Sequence, residues 1–235
     1  MENINIKTIL DHIEADVPLL IKGRSGWGKS AIVNVVANRL ELPLVIANVT
    51  SWTAEDFGGL PREIKKIQCY DYLPPKWVIE NKDKKFILFL DEINQANVSV
   101  LHALYRVVYD REVAGHKMNF YVIAAGNYDF ENPYLTELME PFLKRFSVYE
   151  WKETHEFFCS YLNKKYNTQL TEIYTNPRQT EMALKLYIQG NIDAARSLGG
   201  EQLIKLLQKN YKSRGEELIR NIKTEEVKRR NGVLR

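Results

Sequence analysis

Eight consecutive residues carry the clearest chemistry. Gly23-Arg24-Ser25-Gly26-Trp27-Gly28-Lys29-Ser30 spells G-x-x-x-x-G-K-S. Glycines at this spacing let backbone N–H groups curl around phosphate oxygens, and a helix beginning near Gly28 points its positive dipole end at the same anion. Lys29 then reaches the β- and γ-phosphates, and the Ser30 hydroxyl ligates Mg2+. Arg24, Ser25, Trp27 and Ala31 complete the phosphate-binding stretch; Trp27 fills an unconstrained position of the motif, or its ring covers the nucleotide. Asp91 and Glu92 directly follow the apolar run 86–90 (FILFL). Carboxylates that end a buried parallel strand meet ligands in the crevice at that edge of the sheet. There Asp91 would hold the metal through water, and Glu92 would orient and deprotonate an attacking water. The competing reading is a helix N-cap or a solvated acidic turn.

Three further polar residues fall at element ends. Asn127 closes AAGN, either as a turn residue or as an amide that touches the γ-phosphate or positions water. Arg145, in EPFLKRF, reads alone as a surface arginine. Arg178 follows Pro177 at the start of a helix, where the dipole opposes its charge and an anionic contact would offset that. The four histidines show no metal spacing, and His155-Glu156 lacks the second histidine of a zincin motif.

These residues need a scaffold, and the hydrophobic periodicity supplies one. Residues 5–15 read as an amphipathic helix through Ile6, Ile9, Leu10 and Ile13. Residues 17–21 form a short strand, with Pro18 tolerated near its start. A helix over 28–40 follows the glycine-rich loop, with Ile32, Val35, Val36, Arg39 and Leu40 at helical spacing. Strands are expected at 44–47, 86–90, 120–125 and 146–149, and helices at 98–109 (Val98, Leu101, Leu104, Tyr105, Val108) and 134–144. Strands apolar throughout, alternating with helices, imply an α/β unit whose parallel sheet is covered on both faces. Residues 57–80 carry GG, LP and PP punctuation with scattered aromatics and read as an insertion or long loop. From about residue 152 the pattern turns purely helical, over 153–166, 178–189 and 200–211. The expected organisation is therefore a nucleotide-binding α/β domain over 1–151, a helical unit over 152–211 and a tail over 212–235.

Composition narrows the function classes. The 235 residues are 45% hydrophobic and 27% charged, as in a globular protein. No apolar run approaches the ~20 residues of a membrane helix, so no membrane association is expected. The segment MENINIKTILDHIEAD lacks the apolar stretch of a signal peptide. Cys69 and Cys159 show neither a disulfide framework nor zinc spacing, which makes a reducing, cytoplasmic location the expectation. The net charge of +3 is uneven. Residues 212–235 hold eight Lys/Arg and four Asp/Glu, while the remainder holds 25 basic and 26 acidic residues. A uniformly basic nucleic-acid binder is thereby disfavoured, although the tail itself would suit an acidic partner or a phosphate backbone.

The ordered set GRSGWGKS, FILFLDE, AAGN, KRF and NPR resembles an AAA+ ATPase. The stretch LDEINQANVSVLHALYRVVYDREVAGHKMNFYVIAAGN resembles its MoxR-like and dynein-related branch, as does DFGGLPRE followed by PPKWV, which is similar to the insertion that branch carries in its second helix. The similarity covers roughly residues 17–190. It implies a P-loop NTPase sheet of five parallel strands in order 5-1-4-3-2, followed by a small helical lid. It also implies ATP and Mg2+, and ring assembly, often hexameric, with ATP between neighbours. Lys29, Ser30, Asp91 and Glu92 match the Walker residues, and Asn127 matches sensor 1. Arg145 matches an arginine finger supplied in trans, and Arg178 a sensor-2 arginine acting in cis. A von Willebrand A-type partner is a frequent companion in that branch. The preference for ATP rests on the resemblance, since no guanine-reading N-K-x-D occurs; Asn163-Lys164-Lys165-Tyr166 ends in Tyr.

Three functions fit these features. The first is a ring-forming remodelling motor in which Phe57, Tyr70, Tyr72 and Trp77 grip a polypeptide or simply pack. The second is a nucleotide-dependent, DNA-associated loader or binding module that uses the basic tail. The third is a structural ring that binds ATP with little turnover, which intact Glu92 and Arg145 argue against.

Overall fold

A computed structural model describes residues 3–127, 138, 140–173 and 175–211. The chain divides into two compact units, Met1–Lys152 and Glu153–Arg235.

The first unit opens with helix α1 (Ile4–Glu14), which buries Ile6, Ile9, Ile13 and the polar Asn5. Five parallel strands follow in the order β2-β5-β8-β1-β9: β1 (Leu19–Lys22), β2 (Leu44–Asn48), β5 (Lys85–Asp91), β8 (Asn119–Gly126) and β9 (Ser147–Glu150). Counted among themselves these strands run 2-3-4-1-5, the implied order 5-1-4-3-2 seen from the other edge. β5 lies between β2 and β8 and is buried from Phe86 to Leu90. One of its faces, Phe86, Leu88 and Leu90, joins Phe120, Val122 and Ala124 of β8 in the main core. The opposite face, Ile87 and Phe89, is equally buried. Each such side chain contributes about 1.5–3 kcal/mol on burial, which is why this run forms an interior strand. The register pairs Lys22 with Gly126 and Asn48 with Asp91. The last residues of β1, β2, β5 and β8 therefore reach one edge of the sheet.

Helix α2 (Lys29–Arg39) buries Ile32, Val33, Val36 and Ala37. Val35, expected on that face, is 43% exposed, because the buried stripe runs through the 32/33/36/37 positions. Helix α5 (Val98–Asp110) likewise buries Val100, Leu101, Leu104, Val107 and Val108, while Val98 lies in the solvent-facing first turn.

Residues 57–80 are structured rather than an irregular loop. A one-turn helix α3 (Glu55–Gly58) leads into the antiparallel hairpin of β3 (Leu60–Ile64) and β4 (Cys69–Leu73), and helix α4 (Lys76–Asn81) returns to β5. A second hairpin pairs β6 (Glu112–Val113) with β7 (His116–Lys117) through Ala114 and Gly115, both at positive φ. Of the helix expected over 134–144, α6 (Glu140–Leu143) lies within the described residues. Residues 134–137 and 139 lie outside them, as does the basic tail 212–235.

The second unit contains α7 (His155–Tyr166), α8 (Pro177–Ile188) and α9 (Ile192–Tyr211), the last broken at Gly200 (φ 79°). Asn176 caps α8 by accepting from the Gln179 N–H at 2.9 Å, and Pro177 fills the first turn. Ala183, Leu184, Ala195, Leu203, Ile204 and Leu207 form its interior. The Asn163 carboxamide accepts from Leu170 N and donates to Leu170 O, so Asn163 closes the loop after α7.

Candidate functional site

The glycine-rich loop runs from β1 into α2. Gly26 and Gly28 hold φ of 79° and 75°, values that cost little only without a side chain. Gly28 is the N-cap of α2, so the positive end of the helix dipole faces the loop. At Gly23 the constraint is close approach, because a Cβ there would lie 2.5 Å from the Trp151 Cβ.

Lys29 is 7% exposed, and a charge so buried needs full pairing. Its ammonium donates to Gly23 O at 2.6 Å, Arg24 O at 2.8 Å and Asn127 Oδ1 at 3.0 Å. The loop, the first turn of α2 and the end of β8 thus converge on one cation. Beside it the Ser30 hydroxyl donates to Asp91 Oδ2 at 2.7 Å. The other oxygen, Asp91 Oδ1, accepts from Glu92 N at 3.1 Å. Glu92 lies in the left-handed region (φ 59°, ψ 38°), a conformation that costs energy in a residue with a side chain and clusters at functional sites.

A hydroxyl and a carboxylate oxygen one hydrogen bond apart suit Mg2+, which takes one or two protein oxygens and completes its octahedron with phosphate and water. Among the described residues no group of three or more His, Cys, Asp or Glu could hold a metal.

Three residues outside the expected site set hold this arrangement. Asn94, 4% exposed, donates to Asn127 O at 2.8 Å and accepts from Asn127 N at 3.2 Å. Trp151 donates its indole N–H to Trp27 O at 3.0 Å and its backbone N–H to Lys22 O at 2.7 Å. Asn5, fully buried on α1, donates to Lys152 O and accepts from both Lys152 N and the Tyr149 hydroxyl. Burial pushes the Tyr149 phenol above its ordinary range. The signals in the sequence were the polarity of Asn5 within an apolar helix face and the place of Asn94 in the family-like stretch LDEINQAN, two residues after Glu92.

The expected site residues fall into four groups. Gly23, Lys29, Ser30, Asp91, Glu92 and Asn127 meet at the sheet edge. Arg24, Ser25 and Ala31 are exposed around the loop, whereas the Trp27 ring is packed away at 5% exposure. Arg145 lies elsewhere in the first unit: its guanidinium stacks 4.4 Å from the Tyr105 ring centre and donates to Pro141 O at 2.6 Å. Arg178 belongs to the second unit, exposed in the first turn of α8. Of the aromatics in the 57–80 region, Phe57 is 1% exposed and joins Trp52 and Trp77 in a ring cluster with centres 5.1–6.4 Å apart. A gripping role does not fit Phe57. Tyr70 and Tyr72 stand exposed on the hairpin.

A parallel sheet with order 5-1-4-3-2, a glycine-rich phosphate loop and acids on the neighbouring strand define a P-loop nucleotide-binding protein. The pattern of the AAA domain (dynein-related subfamily) matches residues 18–146, more than half of the chain. The chain belongs to that family and is an AAA+ ATPase. Among solved structures it is similar to RuvB from Thermotoga maritima, titled a Holliday junction branch migration motor. The TM-score is 0.55 at 16% identity, covering 88% of this chain and 69% of that one. A point mutant of the same RuvB gives a TM-score of 0.56 at 15% identity, with the same coverage. At such identities the likeness is one of fold. No curated protein matches the chain. Among the described residues, no helix is long and apolar enough to cross a membrane.

Proposed function

We propose that this protein hydrolyses ATP with Mg2+ and works as a MoxR-like, ring-forming motor that remodels a protein or a protein complex. The observation that carries the reading is the meeting of Lys29, Ser30, Asp91, Glu92 and Asn127 at one edge of the sheet. In this reading the Lys29 ammonium exchanges carbonyl partners for the phosphate chain, and Ser30 and Asp91 hold the metal. Bound Mg2+ would neutralise charge on the phosphates. Glu92 orients and deprotonates the attacking water, and the Asn127 amide steadies that water or the γ-phosphate. Arg145 acts on a neighbour's nucleotide and leaves Tyr105 to do so, while Arg178 serves as a sensor arginine. A homo-oligomeric ring, hexameric by the resemblance, is implied, in the cytoplasm. Tyr70 and Tyr72 on the exposed hairpin are the candidates for client contact, and a von Willebrand A-type protein is a candidate partner.

The experiment is nucleotide binding and turnover by two variants. Lys29→Ala should lose nucleotide binding. Glu92→Gln should bind ATP as the unmodified protein does and lose turnover. Equal turnover by Glu92→Gln would contradict its role as the base, and ATP binding by Lys29→Ala would contradict the assignment of the loop.

The excess of Lys and Arg in 212–235 favours a second reading, a DNA-associated loader or binding module. Binding to duplex DNA that weakens steeply with salt and is lost on truncation at Lys212 would support it. No binding at low salt would refute it.

A further inference from the structure

We infer that Asn94 is a positioning residue for hydrolysis that sets Asn127 against Lys29 and Glu92; this rests on the hydrolase reading above. A buried carboxamide must pair both its donor and its acceptor, and Asn94 directs both at the backbone of a single residue. Its Nδ2 donates to Asn127 O at 2.8 Å, and its Oδ1 accepts from Asn127 N at 3.2 Å. This closed pair fixes the Asn127 backbone beyond the last ladder residue of β8 and leaves the Asn127 carboxamide to accept from Lys29.

Asn94 is itself held firmly. It sits in the 3-10 turn Ile93–Gln95, which begins at the left-handed Glu92 and is tied by Gln95 N donating to Glu92 O at 2.8 Å. One stiff turn therefore connects the carboxylate proposed as the base to the amide proposed to sense the γ-phosphate. The strand end is shaped to admit it, since a Cβ at Gly126 would stand 3.2 Å from Asn94 Oδ1. An oriented water between Glu92 and Asn127 depends on their separation, and errors of an ångström at such positions cost rate rather than affinity.

The test compares the full-length protein with Asn94→Leu, Asn94→Asp, Asn127→Ala and the Asn94→Leu/Asn127→Ala double variant. Leu keeps the approximate volume and removes both bonds, whereas Asp keeps the acceptor for Asn127 N and loses the donor. The measurements are ATP turnover, ADP affinity and hydrogen exchange at the Asn127 amide. Asn94→Leu should lower kcat by about tenfold or more and leave the ADP Kd within roughly threefold. Exchange at Asn127 should accelerate, and Asn94→Asp should fall between Asn94→Leu and the unmodified protein. The double variant should be no slower than Asn127→Ala alone, because both substitutions remove one device. Losses that multiply in the double variant would make Asn94 an ordinary structural residue and overturn the inference. So would undiminished kcat in Asn94→Leu. ATP binding without turnover by the unmodified protein would instead overturn the hydrolase reading, and amide exchange at Asn127 would still report the pairing.

Discussion

Replacing Trp151 with Phe removes one donor from beneath the P-loop and leaves a ring in place. The indole N–H donates to Trp27 O at 3.0 Å in a buried setting, and Phe has nothing to offer that carbonyl. An acceptor stranded away from water costs about 1–3 kcal/mol, and the volume vacated by the smaller ring adds to that. In a chain of this size each 1 kcal/mol lowers Tm by about 2–4 °C, so the lost hydrogen bond alone should make Trp151→Phe melt roughly 2–12 °C lower. That carbonyl lies inside the phosphate-binding loop, and the Trp151 side chain packs directly against Gly23. Nucleotide binding then has to reorder a loosened loop. If about 1 kcal/mol of the loss falls on that step, ADP affinity drops about fivefold. Scanning calorimetry with and without ADP, together with titration calorimetry, reads both quantities. A Tm within about 1 °C of the unmodified protein and unchanged ADP affinity would refute the idea that Trp151 holds the loop.

Arg145→Ala should lose turnover alone and suppress the unmodified protein when the two are mixed, since one defective neighbour silences an adjacent site. Activity that falls only in proportion to dilution would argue against a finger supplied in trans. In the second unit, burial of Glu181 is outweighed by hydrogen bonds from Lys165 and Tyr166, which hold its carboxyl below its ordinary value of 4.5. Lys165 is pushed up from 10.5 by its hydrogen bonds to Glu181 and Tyr161, and Tyr166 is pushed up from 10.0 by burial and by Glu181. The Glu181 contribution is present above about 4.5 and lost as pH falls through its lower folded value. The Lys165 and Tyr166 contributions are present below about 10 and lost as pH rises past it. Thermal melts against pH should show a plateau between those limits, and Glu181→Gln should flatten both edges. Equal pH dependence in that variant would refute the cluster's role. Arg178→Ala should reduce ATP turnover while leaving the fold intact, as read by melting temperature; full activity would remove its assignment as a sensor.

The parts that were legible in the sequence are those in which neighbouring residues share one physical task. The P-loop is contiguous, and β5 announces itself as an unbroken apolar run ending in acids, so strand, loop and candidate metal ligands could all be read locally. The sheet order needed the family resemblance, because no local signal says which strands pair. Asn94 and Asn127 lie 33 residues apart, and Trp151 and Trp27 lie 124 apart. Their pairing depends on two strands ending at the same edge, which is a property of the assembled sheet. The β3–β4 hairpin was obscured for another reason. Nearly all of its residues are exposed on both faces, so the alternation that marks a half-buried strand never forms. Val35 and Val98 were misplaced because an apolar residue satisfies a helical spacing whether or not its face is covered.

The central claim, that active sites form between subunits of a working ATPase, is tested most directly by specific ATPase activity against protein concentration across the micromolar range, with particle size followed on the same samples. A steep rise to a plateau that coincides with assembly is the expected result. A measurable rate that stays flat while the protein passes from monomer to assembly would contradict it, because each chain would then hydrolyse ATP without a neighbour.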